Sequence, residues 1–140
     1  MGNRNLVYCI VVSALMMFSC AKNNTVIDSP FVTVVKLISA EQDLFYDEAK
    51  QYIDVAQVYT KLGSENPEED WKQWIKFQYN IGKDKKFSNN FRYFEYNIEE
   101  NVMGNNASVC FKNTKINKTI TYRLEKRQKK WIVVSIDYVK

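Results

Sequence analysis

Apolar residues recur through the middle of the chain at helical spacing, and toward its end at every second position. Ser29-Pro30 places a capping residue before a proline suited to the first helical position. Behind it, Phe31, Val34, Val35 and Ile38 follow the i, i+3, i+4, i+7 pattern, which predicts a first helix over 30–41. Asp43 offers a second cap, and Asp47 and Glu48 suit the positive end of a helix. Phe45, Ala49, Tyr52, Ile53, Ala56 and Tyr59 then share a face. A second helix is expected over 43–62, closed by Gly63, although Val55 and Val58 also fit a break. Asn66-Pro67 repeats the cap-plus-proline signal, and Glu68, Glu69 and Asp70 occupy the first turn. Trp71, Trp74, Ile75, Gln78 and Ile81 give a third helix its largely apolar face, and Gly82 ends it.

From Phe91 the period drops to two. Phe94, Tyr96 and Ile98 alternate with Tyr93, Glu95 and Asn97. After the turn cluster Met103-Gly104-Asn105-Asn106, Ala107, Val109 and Phe111 alternate with Ser108, Cys110 and Lys112. Ile120, Tyr122 and Leu124 alternate with Thr119, Thr121 and Arg123. Beyond the basic tip at 126–130, Trp131, Val133 and Ser135 alternate with Ile132, Val134, Ile136 and Tyr138. Four strands joined by short polar turns predict an antiparallel meander. One face meets water and the helices cover the other, an α+β architecture.

A third pattern precedes both. Arg4 gives a positive start, residues 6–18 are almost continuously apolar, and the chain turns polar at Ala21-Lys22-Asn23-Asn24. The run is shorter than the ~20 residues a membrane-crossing helix needs. A charged start, a short apolar core and a small residue before Cys20 read as a secretory signal. Ser13-Ala14-Leu15-Met16-Met17-Phe18-Ser19-Cys20 resembles the lipobox of bacterial lipoproteins, with bulky Phe18 departing from the usual small residue. The resemblance implies removal of 1–19, lipid attachment at Cys20, a tether over 20–28 and one domain over 29–140. It also implies a lipid-anchored place in the cell envelope, at the outer membrane facing the periplasm.

Composition narrows the chemistry. With 46% hydrophobic and 14% aromatic residues in 140, the chain has enough for one core. A net charge of +4, or +3 without Arg4, is too small to imply nucleic acid. Once Cys9 and Cys20 are assigned to signal and anchor, Cys110 has no disulfide partner and reads as a small buried hydrophobe. The absence of histidine removes the usual general base and the commonest zinc ligand, so no cofactor and no metal are expected.

The order of elements carries a second resemblance. Ser29-Pro30, Asp43 with Glu48-Ala49, and Lys129-Lys130-Trp131-Ile132-Val133 together resemble small lipoprotein domains of the nuclear-transport-factor-2-like (cystatin-like) superfamily, of the Bacteroidota type. This implies a curved, cone-like sheet around an apolar pocket. Some relatives are isomerases or dehydratases, for which Asp54, Tyr59, Tyr96 and Asp137 are the residue types present. None of them matches a family motif by position, so no catalytic residue is assigned. Trp71, Trp74, Phe91, Tyr93, Phe94 and Tyr96 could line a pocket for an apolar or glycan ligand, against the plainer reading of core aromatics. Glu68-Glu69-Asp70 reads as helix-start acids before it reads as a calcium site. The tip at 126–130 reads as a solvated turn before it reads as a contact for lipid phosphates. The expected role is a non-enzymatic domain binding a small apolar ligand or an envelope protein. The alternatives are a small isomerase and a structural envelope component.

Overall fold

The computed structural model describes residues 27–83 and 96–139. Cys20, Phe91, Tyr93 and Phe94 lie outside them, as do the signal, most of the tether and the start of the alternating region. Among the described residues four helices, α1 (Pro30–Gln42), α2 (Tyr46–Ala49), α3 (Val55–Lys61) and α4 (Pro67–Lys83), precede four strands. The strands are β1 (Asn97–Met103), β2 (Asn106–Asn113), β3 (Lys118–Arg127) and β4 (Lys130–Val139). They pair in the order β1-β2-β3-β4, antiparallel throughout, so the fold is α+β with a four-stranded meander. Among the described residues no helix is long and apolar enough to cross a membrane.

Helix α1 begins where the sequence places it. Ser29 accepts a hydrogen bond from Val32 N at 3.2 Å, and Pro30 stands in the first turn. Glu100 from β1 accepts from Phe31 N at 2.7 Å, so side chains from two elements hold the helix start. Its buried stripe of Thr33, Val34, Leu37 and Ala40 lies on the sheet.

The expected second helix is interrupted. Asp43 closes α1 instead of opening a new helix, and Leu44 turns the chain at φ 59°. Only α2 and α3 are helical, with 50–54 between them. The physical reason is the free edge of β4. Val133 N donates to Tyr52 O at 2.8 Å and Asp54 N donates to Val133 O at 2.9 Å, with Ile53 bridging Val133 in parallel. Backbone groups that a continuous helix would use internally cover a sheet edge instead. Asp54 then caps α3 by accepting from Gln57 N at 3.0 Å.

Within the described residues strand β1 runs from Asn97 to Met103, followed by a tight turn at Gly104 (φ 62°); the earlier part of the alternation, 91–95, lies outside them. Every residue of this edge strand is exposed. The inner face of the sheet is built from Ala107, Val109 and Phe111, from Ile120, Tyr122 and Leu124, and from Trp131 and Val133. Cys110 is half-buried and pairs with Glu99 and Thr121 on the other face, correcting its assignment to the interior.

The last strand departs from strict alternation. Leu124 pairs with Val133 but Arg123 pairs with Ser135, leaving Val134 as the extra residue of a bulge. The bulge reverses the phase. Ile136 and Tyr138, opposite Tyr122 and Ile120, join the helix-covered face, while Ser135 and Asp137 point away. Lys61 Nζ donates to the Val134 carbonyl at 3.0 Å, so α3 supports the bulge.

Candidate functional site

The apolar stripe of α1 continues past Ile38 to position 41, where the residue is a glutamate. Glu41 is half-buried and accepts a hydrogen bond at 2.8 Å from the indole N–H of Trp71, which is fully buried. Trp71 is held by the apolar face of α4 and by an edge contact with Tyr46, ring centres 5.6 Å apart. Among the described residues no cation pairs with Glu41. Burial pushes its carboxyl up to about 7, and the indole hydrogen bond only partly opposes that. The group therefore stands near half-protonation at neutral pH and can donate or accept.

Three tyrosines feel its charge. Tyr59 comes from α3, Tyr122 from β3 and Tyr138 from β4. Burial raises the Tyr59 phenol well above its ordinary range, and the Glu41 charge adds to it. Burial likewise raises Tyr122, with contributions from Tyr138 and Glu41. Tyr138 is pushed up to about 12 by partial burial and by Glu41. All three stay as neutral hydroxyls.

Tyr59 and Tyr138 also form part of the wall of an open depression of about 420 Å³, with Leu62, Ser64, Asp70, Trp74 and Ile136. Its apolar wall is unusually accessible: Trp74 is 45% exposed, Leu62 54% and Tyr138 52%. Trp74 stacks on Phe77, centroids 5.8 Å apart, which extends the aromatic surface along α4. The Ser64 hydroxyl donates to Asp70, giving the rim a polar corner. A second depression, of about 440 Å³, is lined by Leu44, Phe45 and Tyr46 together with four charged residues, Asp47, Glu48, Lys50 and Lys72. Both of its lysines are engaged by Glu68, at 2.7 and 2.8 Å. The first is the better site, because an apolar wall with few polar groups is what retains a small ligand.

The residues singled out in the sequence are dispersed. Trp74 stands in the wall, whereas Trp71 lies behind it in the core. Tyr96 is half-buried and packs edge-on against Phe111, centroids 6.4 Å apart. Tyr93 and Phe94 lie outside the described residues. Asp54 is held by Arg127 at 2.7 Å, which lowers its pKa together with the Gln57 N–H. Asp137 pairs with Arg123 at 2.8 Å on the outer face. Of the acid and tyrosine candidates, only Tyr59 reaches the site. Glu68 lies between two lysines, Glu69 accepts from Gln73 and Asp70 from Ser64, so the acids of the α4 start are used locally.

Glu41 was readable: it stands three residues after Ile38, on the stripe that predicts α1. Tyr138 was not, since only the bulge brings it to this face. Comparison with family models, curated proteins and solved structures finds no match.

Proposed function

We propose that this chain is a bacterial envelope lipoprotein whose domain binds a small, largely apolar ligand without transforming it. In this reading residues 1–19 direct export, Cys20 carries the lipid, and residues 20–28 tether the domain to the outer membrane on the periplasmic side. The helix-then-meander order supports a curved, cone-like sheet of the nuclear-transport-factor-2-like type. The observation that carries the binding role is the exposed wall of Trp74, Leu62 and Tyr138, with Ser64 and Asp70 as its polar corner. Single exposed apolar residues are ordinary, but a concave group of them marks a contact surface.

The test uses a neutral phenylnaphthylamine probe and the full chain. Fluorescence should rise on binding, and Trp74→Ala should abolish the rise while leaving the melting temperature near that of the native chain. Equal uptake by the variant would sink the reading. The anchor is tested separately. Cys20→Ala should leave the chain uncleaved and without lipid, and detergent partitioning of cell fractions reports both. A variant that still behaves as a processed amphiphile removes Cys20 as the attachment point.

Glu41 favours a second reading. A carboxyl near half-protonation beside neutral phenols can move a proton without histidine or metal, as isomerisation of a ketone requires. Turnover of an apolar unsaturated ketone that disappears in Glu41→Gln would establish it in place of simple binding.

A further inference from the structure

We propose that the end of the sheet formed by the β1–β2 and β3–β4 turns docks on an anionic lipid surface. In an antiparallel meander these two turns lie at the same end, and Lys126 N donates to Asn105 O at 2.8 Å between them. The end is amphipathic. Met103 is 70% exposed, more than any other large hydrophobic among the described residues, and Val102 beside it is also exposed. Lys126, Lys129 and Lys130 stand on the neighbouring hairpin.

Their charge is uncompensated. The acids nearby are occupied by Arg127, which reaches Asp54 at 2.7 Å and Glu125 at 2.9 Å and also binds Gln57 at 2.7 Å. Among the described residues none of the three lysines has an ion pair, and Lys126 lies over the Trp131 ring at 5.6 Å. The arginine fastens the hairpin to α3 while the lysines remain available.

The turn itself adds an independent observation. Gln128 and Lys129 both hold positive φ, 47° and 67°. A two-residue turn of this kind is easiest with Asn-Gly. A lysine kept where glycine would relieve the backbone fits a position retained for its charge. Exposed apolar residues beside uncompensated lysines match a lipid interface, the first entering between headgroups and the second meeting their phosphates. This surface is separate from the depression and does not require the Cys20 anchor.

The full chain is mixed with phosphatidylcholine vesicles, with or without phosphatidylglycerol, and backbone hydrogen exchange is followed. Residues 102–106 and 126–130 should be protected on the anionic vesicles alone, and 114–117 at the opposite end should be unchanged. Anchoring by lipid brings the chain to both vesicles alike, so protection that follows charge separates docking from anchoring. Salt at ~1 M, where the screening length is about 3 Å, should remove the protection. The double variant Gln128→Asn/Lys129→Gly should melt no lower than the native chain, yet dock about fivefold more weakly. Adding Lys130→Gln should weaken docking about fivefold further. Equal protection on both vesicles, or unchanged protection in the variants, overturns the proposal. So does protection confined to native membranes that carry protein, which would assign this end to a protein partner.

Discussion

Glu41 and Glu68 are the same residue type in opposite surroundings. Glu41 lies near the end of α1, bonded to the Trp71 indole N–H, and burial lifts it to about 7. Glu68 lies on the surface of α4, where hydrogen bonds from Lys50 and Lys72 pull it down to about 2. The difference shows that a neutral hydrogen bond does not offset desolvation, whereas cations at contact distance dominate where water already solvates the carboxylate. It also separates roles. A carboxyl already committed to two lysines has little left to offer a ligand, while one poised between its two states can give or take a proton.

The link between Glu41 and Trp71 is where the comparison is easiest to break. Trp71→Ala should destabilise the domain by about 3–5 kcal/mol, since it empties a fully buried site and removes the indole donor at Glu41. Trp71→Phe keeps most of the apolar surface and loses only the N–H. Denaturant unfolding should place it between the native chain and Trp71→Ala, about 1–3 kcal/mol below the former. The indole bond lowers the Glu41 pKa, so Trp71→Phe should also raise it further. A neutral Trp71→Phe would mean that the carboxyl does not depend on this donor.

The next effect is a matter of sign. The folded pKa of Glu41, about 7, lies above the unfolded value of about 4.3. Between those values the folded chain holds a proton that the unfolded chain has released, so its contribution to stability falls as pH rises. Above the folded value the loss is complete. Glu41→Gln keeps the shape and an acceptor for Trp71 but cannot ionise. It should match the native chain near pH 4 and exceed its stability at pH 8 by on the order of 3–4 kcal/mol. Parallel stability curves over that range would mean that Glu41 is not desolvated.

Which parts of this were legible in the sequence follows from locality. Ser29-Pro30 and Asn66-Pro67 announce helix starts because capping is a property of a few adjacent residues. The three strands after Gly104 were legible because alternation is local as well. The break at 50–54 depends on a distant partner, the edge of β4 at Val133, and helical spacing continues through it unaffected. The bulge at Val134 is also non-local. Strict alternation sends Tyr138 to the face opposite Trp131, and one extra residue returns it to the helix side. The site was therefore half visible: Glu41 and Tyr59 sit on readable helical stripes, while Tyr138 needed the register of the sheet.

The smallest effect should be found at Glu68, and it sharpens the contrast. Its folded pKa lies below the unfolded value, so its contribution is present above about 4.3 and is lost as pH falls toward about 2. The two glutamates thus act in windows that do not overlap. Because Glu68, Lys50 and Lys72 are all well exposed, the ion pairs contribute little to stability, and Glu68→Gln should melt with the native chain at neutral pH. The clearer measurement is carboxyl titration by nuclear magnetic resonance at two ionic strengths. At ~1 M salt, with charges screened beyond about 3 Å, the Glu68 value should move back toward about 4.3. Glu41 should stay near 7, since salt does not rehydrate a buried group. If instead Glu41 fell with salt and Glu68 held its value, the assignment of burial to one and cations to the other would be reversed.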